Sequence, residues 1–587
     1  SNFGGSSRFS LARTFNYCVA VVVGDADPSF RHTKMVHSLL LAASLAVVSA
    51  DITDDAVAGL TATVKKLQAN MEHSNHEISE LQHIISDQQA KLALLGEAKP
   101  KVTRRNRRLA QEAPETAAPE RQLSADLTAY MADANSAMDH IWLLVCGALV
   151  MFMQAGFAVL EAGACRDKNV QNILMKNLVD VCVGTIGWYA IGWALAYGGP
   201  YTDDGMLESK FAGSAEFFGI GFAEDDGKGT ITPSSKPLNW FFQWAFCSAA
   251  ATIVSGGVAE RVQFPGYMVY SAAMTTFIYP IVVAWTWGYG WLAGSVNSVN
   301  FMDFAGSGIV HMSGGVGALV GAIIAGPRKE RWEKPDEFAP HNLPLVVLGT
   351  FILWFGWYGF NCGSTLSLHD ASTGMMAAHV AMNTTIAAAT GGLTVFALRY
   401  AILRKYDVGG LCNGILAGLV SITAGCGNVW SGSALAIGLI GGLVYQGTSA
   451  LLTKFKLVDD PLDAFAIHGA AGAWGVIAAA LFDFGGLNHV HAWSGWSCMT
   501  TEDGGCMEGA GGALLGANIV EVIAICAWVG ILSAIIFGIL SVAGVLRAPD
   551  EMQDDGMDLV KHSPPKAYCM ESASREVTIS NSKVVPS

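Results

Sequence analysis

From Ile141 onward, apolar runs of roughly 20 residues alternate with short polar connections, and each run is long enough to cross a ~30 Å hydrocarbon core. The runs centre near residues 151, 188, 248, 278, 316, 353, 385, 418, 443, 474 and 530. The pattern predicts an all-α polytopic membrane protein of about eleven transmembrane helices. Upstream the period changes. Val57, Val64, Met71, Ile78, Ile85 and Leu92 fall at one core position of a heptad, and Leu60, Leu67, Ser74, Leu81, Gln88 and Leu95 at the other. Roughly six such heptads with charged flanks predict a coiled coil over residues 51–97, with a lone amphipathic helix as the alternative. Ser74 and Gln88 on the seam would cost stability and could fix register.

A shorter apolar run, Leu39 to Val48, cannot span, and Val48-Ser49-Ala50 has the small-x-small form of a cleavage site. Residues 35–50 therefore read as a signal peptide that sends the coiled coil outside, although the basic flank (Arg31, His32, Lys34, His37) is thin. Residues 1–34 carry no usable pattern and are read as preceding Met35. Residues 98–135 form a linker rich in Pro, Ala and charge. Its Arg105-Asn106-Arg107-Arg108 fits a solvated basic stretch better than a processing site. The membrane domain is expected over 136–546 and a regulatory tail over 547–587, where Ser572, Ser574 and Thr578 are phosphorylation candidates on composition alone.

Composition agrees with the hydropathy: 52% of residues are hydrophobic and only 14% charged, against about 25% charged in soluble proteins. The 66 glycines suit helices whose backbones approach closely in lipid. A net charge of −14 with no basic stripe excludes a nucleic-acid partner. Lys and Arg concentrate in alternate connections, those after the first, third, fifth, seventh and ninth runs: Arg166, Lys168, Lys176, Arg261, Arg328, Lys329, Arg331, Lys334, Arg399, Arg404, Lys405, Lys454 and Lys456. That bias puts the N-terminus outside and the C-terminus inside, in agreement with the signal peptide. Cys498 and Cys506 share an outer loop, where a disulfide and two free thiols are both open.

Two of the apolar runs carry an early histidine. "DFAGSGIVHMSGG" holds His311 and "DAFAIHGAAG" holds His468. Each has an Asp upstream, here Asp303 and Asp463, and Gly315 and Gly472 stand at one offset from their histidines. These are the fifth and tenth runs, and a repeat of five spans flips orientation, so a five-plus-five inverted repeat is expected with a site near the midplane. A lone imidazole in hydrocarbon is more often a helix–helix contact. At equivalent places the two could share an N–H to N hydrogen bond and relay a proton. With no Cys or carboxylate near them, no metal site is expected. Asp180 and Glu161 read as structural.

At this point the residues resemble a known family. "AFCSAAATIVSGGVAERVQF", "WGYGWL", "DFAGSGIVHMSGG", "PHNLPLVVLGTFILWFGWYGFNCGS", "DDPLDAFAIHGAAG" and "RAPDEMQDDGMD" together look like the ammonium transporter (Amt/Mep/Rh) family, Amt/Mep branch, over about residues 135–568. The resemblance implies a homotrimer with one pore per protomer. It implies an outer cation site of Phe246, Trp287 and Ser364, supported by Asp303, and a gate of Phe246 stacked on Phe360. His311 and His468 would line the lumen, and the tail around Gly556 would pack on a neighbouring protomer. Without the resemblance, Phe246 and Trp287 would read as interface-belt aromatics, and Asp303 as a helix cap. The function implied is ammonium transport. The cation is recognised and deprotonated, and ammonia passes while the proton travels separately along the paired histidines. An electroneutral ammonia channel and an ammonium sensor signalling through the tail are the alternatives. The expected partners are ammonium or ammonia, membrane lipid of the cell surface and a cytoplasmic regulator of the tail. No cofactor and no enzymatic step are expected.

Overall fold

A computed structural model describes residues 117–225, 231–293, 301–483, 493–494, 498–499 and 512–568. The signal peptide, the coiled coil, most of the linker, Cys506 and the tail beyond residue 568 lie outside the described residues. The architecture is helical and membrane-spanning. The spanning segments are α1 (Ala117–Ala164), α2 (Asp167–Tyr197), α3 (Lys236–Val258), α4 (Phe264–Trp285), α5 (Ser307–Ala325), α6 (Leu343–Gly363), α7 (Ala371–Leu403), α8 (Val408–Thr423), α9 (Ser431–Lys454), α10 (Phe465–Phe482) and α11 (Ala513–Val542). They fall on the centres that the hydropathy marks. Ten of them are long and apolar enough to cross, while α8, with 16 residues, is shorter than the run around residue 418 predicts. Two antiparallel pairs of strands of two or three residues, Ala223–Asp225 with Ile231–Pro233 and Trp493–Ser494 with Cys498–Met499, decorate the connections.

Buried polar side chains tie the helices where lipid could not satisfy them. Glu161 of α1 accepts from Asn177 of α2 at 3.1 Å and from Ser255 of α3 at 2.8 Å. Asp180 of α2 accepts from Thr252 of α3 at 2.6 Å and from Ser271 of α4. The structural reading of both carboxyls fits these contacts. On the face that carries the basic connections, Glu260 bridges Arg166 (2.5 Å) and Arg328 (3.2 Å), and Arg328 continues to Asp459 at 2.9 Å. Burial alone would raise the Glu260 carboxyl, but Arg328 and Arg166 hold it below the ordinary range. The Arg328–Asp459 pair also sets the end of α5 beside the start of α10, the arrangement an inverted repeat requires.

The tail returns to that face as α12 (Asp550–Asp555) and α13 (Met557–Lys561). Lys168 Nζ donates to the carbonyls of Gln553 (2.9 Å) and Asp554 (2.6 Å), and the amides of Gln171 and Asn172 donate to Asp558, both at 2.9 Å. Gly556 sits between them at φ +94°, where a Cβ would lie 2.6 Å from Lys168 Cβ. Only glycine fits both the angle and the gap. The tail thus rests on its own chain.

Candidate functional site

Asp303 precedes α5 and is 3% exposed. Its Oδ1 accepts the amides of Gly306 (3.1 Å) and Ser307 (2.7 Å), and its Oδ2 those of Gly308 (3.0 Å) and Ile309 (2.9 Å). An acidic cap there satisfies the free N–H groups of the first turn and complements the helix dipole. Burial raises the Asp303 carboxyl above its ordinary range, although those amides favour its charged form. Asp460 does the same for α10: Oδ1 accepts Ala464 N–H at 2.9 Å and Oδ2 accepts Phe465 N–H at 2.7 Å. Asp303 and Asp460 differ by the same 157 positions as His311 and His468. The repeat partner of Asp303 is therefore Asp460 rather than Asp463. Asp463, at φ +56°, instead accepts from Tyr445 and Ser449, both at 2.8 Å.

Both histidines lie on π-helical turns, Ser307–Met312 and Phe465–Ala470. Such turns are rare and concentrate at functional positions. The helices that follow cross at glycines. A Cβ on Gly315 would stand 2.2 Å from Gly469 N, and one on Gly472 would stand 2.6 Å from Ser307 O. That approach brings His311 Nδ1 within 3.2 Å of His468 Nδ1. One ring must donate and the other accept, so the two rings hold opposite tautomers. Both are buried, at 0% and 4% exposure.

Above them runs a column of rings. His311 lies parallel to Trp357 at 4.9 Å and to Phe360 at 5.2 Å between centroids. Phe360 meets Phe246 at 4.1 Å, and Phe246 meets Trp287 edge-on at 5.9 Å. Trp287, Phe246, Ser364 and Asp303 all line one cavity of about 820 Å³ that opens opposite the basic face. Trp287 Nε1 donates to the Asp303 carbonyl at 3.1 Å, which fixes the indole while leaving its face to the cavity. Ser364 Oγ donates to the Phe360 carbonyl at 2.9 Å and keeps its lone pairs free. Phe246 lines the cavity, and Phe360 lies against it at 4.1 Å. Every site residue expected from the sequence, apart from the Cys498–Cys506 pair, stands in the cavity or on the column beneath it.

The family model described as "Ammonium Transporter Family" matches residues 141–568. The chain belongs to that family. It is 40% identical over 447 residues to "Ammonium transporter Amt2" of Archaeoglobus fulgidus, covering 74% of this chain and 90% of that one. It is 37% identical over 462 residues to "Putative ammonium transporter 1" of Caenorhabditis elegans, covering 76% and 83%. Among solved structures, "Sensor Amt Protein" superposes with a TM-score of 0.62 at 32% identity, covering 73% of this chain and 99% of that one. The crystal structure of Candida albicans Mep2 superposes with a TM-score of 0.59 at 26% identity, covering 71% and 87%.

Sequence reasoning overlooked several residues of the cavity and the column. Phe242 packs against Phe246 at 4.8 Å, its ring tilted by 52°, and lines the cavity. Its place one helical turn before Phe246 was the available signal. Trp357 faces His311 from α6 and carries no local mark among so many aromatics. Asn428 and Gln243 also reach the cavity, and each carries a buried amide oxygen with no protein partner. Among the described residues no group of His, Cys, Asp and Glu is arranged to hold a metal ion.

Proposed function

We propose that this chain transports ammonium by separating it into ammonia and a proton. The observation that carries the reading is the His311–His468 bridge at the foot of an aromatic column whose top opens into a wide cavity. Ammonium enters the cavity and sheds part of its water against the faces of Trp287 and Phe246 and the Ser364 hydroxyl, with the Asp303 carboxylate behind. Each cation–π contact supplies about 0.5–2 kcal/mol, enough to hold a cation at the mouth and far too little to carry one through a dry apolar passage. The Phe246–Phe360 floor therefore selects against the charged form. Ammonia passes the rings as they swing, and the released proton moves by way of His311 and His468 with water and rejoins ammonia beyond them. Potassium has no proton to give up, so it stops at the floor.

The working unit is a homotrimer in the plasma membrane, with its cavity outside and its tail inside. The charge bias of the connections supports that orientation. The heptads of residues 51–97 are proposed as a clamp on the three chains. Their deletion should make the trimer dissociate in milder detergent, and unchanged dissociation would remove the clamp from the account. A second reading is an ammonium sensor, favoured by the tail docked on Lys168 and Lys329 and by likeness to a protein titled a sensor.

Ammonium-evoked current measured in parallel with uptake, in oocytes expressing the chain, separates these readings. Inward current tracking uptake is the expected result. Uptake without current would replace the mechanism with an electroneutral ammonia channel, and binding with neither would leave the sensor.

A further inference from the structure

The segment that carries Asp303 is braced from behind by α11. Asn518 Oδ1 accepts the Met302 amide at 2.7 Å, while its Nδ2 donates to the carbonyls of Met302 (3.1 Å) and Val476 (2.6 Å). One turn further along the same face lies Glu521, with no exposed surface. Its carboxyl faces that of Asp303 across Gly308. Gly308 makes the meeting possible, because a Cβ there would lie 3.1 Å from Glu521 Oε1 and 3.3 Å from Asp303 Oδ2. Among the described residues no N–H or O–H group donates to either Glu521 oxygen, and Asp303 is the charged group that acts on it.

Two facing carboxylates in a dry site, with no cation between them, repel strongly, and one shared proton turns that repulsion into a hydrogen bond. The donor count says which of them holds it. Asp303 already accepts four amide hydrogens and is best satisfied as the anion, whereas Glu521 has no protein donor and is satisfied only by giving one.

We propose that Glu521 is a positioning residue for ammonium recognition: as a neutral acid it donates its O–H to Asp303, so the pair presents a single negative charge beneath the Trp287 site. Asp303 is then gripped by the amides of α5 on one side and by the acid of α11 on the other. The inference rests on ammonium recognition at that cavity, and its test has one arm that needs no transport.

In the full chain, Glu521→Gln keeps a neutral donor and should leave the half-saturating ammonium concentration within about twofold of wild type. Glu521→Leu removes the donor and should raise that concentration roughly tenfold, with the maximal rate per surface-expressed chain little changed. A Glu521→Gln variant as impaired as Glu521→Leu would mean that charge, not donation, is needed, and would overturn the proposal. A Glu521→Leu variant with wild-type half-saturation would do the same. The second arm is infrared difference spectroscopy of purified wild type against Glu521→Gln. A protonated-carboxyl C=O band should be present in the wild type and missing from the variant, and its absence from the difference spectrum would overturn the proposal. Wild-type chain that took up no ammonium would instead count against the transport reading, leaving the infrared result to stand on its own.

Discussion

Trp287 shows how one side chain can be both anchor and surface. Its N–H is engaged by the Asp303 carbonyl at 3.1 Å, so the ring cannot rotate away, and its face is left to the cavity. Replacing it by leucine keeps apolar bulk but removes the quadrupole. Trp287→Leu should therefore raise the half-saturating ammonium concentration by roughly 2- to 30-fold, the range of one cation–π contact, while uptake at saturating ammonium stays near wild type. Uptake measured at low and high ammonium checks this, and an equal loss at both would assign the ring to catalysis of passage instead of recognition. At this scale the sequence is legible only where residue types are out of place. His311 and His468 stand out in apolar runs, and Asp303 stands out at the head of one. Phe242 and Trp357 do not, since aromatics are common throughout the chain. Glu521 shows as a charge inside an apolar run, but nothing local reveals that its partner is Asp303, on a distant segment.

Helix positions follow from transfer energetics, which a run of side chains encodes directly, and the spans accordingly fall where hydropathy places them. The π turns at Ser307–Met312 and Phe465–Ala470 are set by the crossing of α5 and α10 and have no local signature. Asp463 lies five residues before its histidine and Asp303 eight, and it is Asp460, eight residues before His468, that matches Asp303. Asp460 also supplies a pH test. Burial, and then the charge of Asp463, push its carboxyl up to about 7. An unfolded chain releases that proton near pH ~4. The folded chain therefore binds the proton more tightly, and the stability from this group, fully present at low pH, is lost as pH rises from about 4 to about 7. Melting temperatures of purified wild type and Asp460→Asn across that window should converge or cross as pH rises, with the wild type losing stability relative to the variant. Parallel curves would show that Asp460 is not the titrating group.

Across the whole molecule, charge and hydrogen bonding are divided between two faces. One bears the wide aromatic cavity. The other bears the Arg166–Glu260–Arg328–Asp459 chain and the docked tail. Between them the paired imidazoles adjoin the column of rings, where Trp357 Nε1 also donates to Thr423 Oγ1 at 2.9 Å. This division was partly legible in advance, because basic residues gather in alternate connections, but the folding of the tail onto its own Lys168 was not. That contact depends on a glycine at φ +94° whose value is apparent only once the two segments meet. In the proposed mechanism a proton crosses by way of the histidine pair while ammonia crosses beside it. The most direct test is ammonium-evoked current, recorded with uptake, for His311→Ala combined with His468→Ala, at surface expression matched to wild type. The current should be lost together with a sharp fall in net uptake. Wild-type current through a pore without either imidazole would contradict that mechanism.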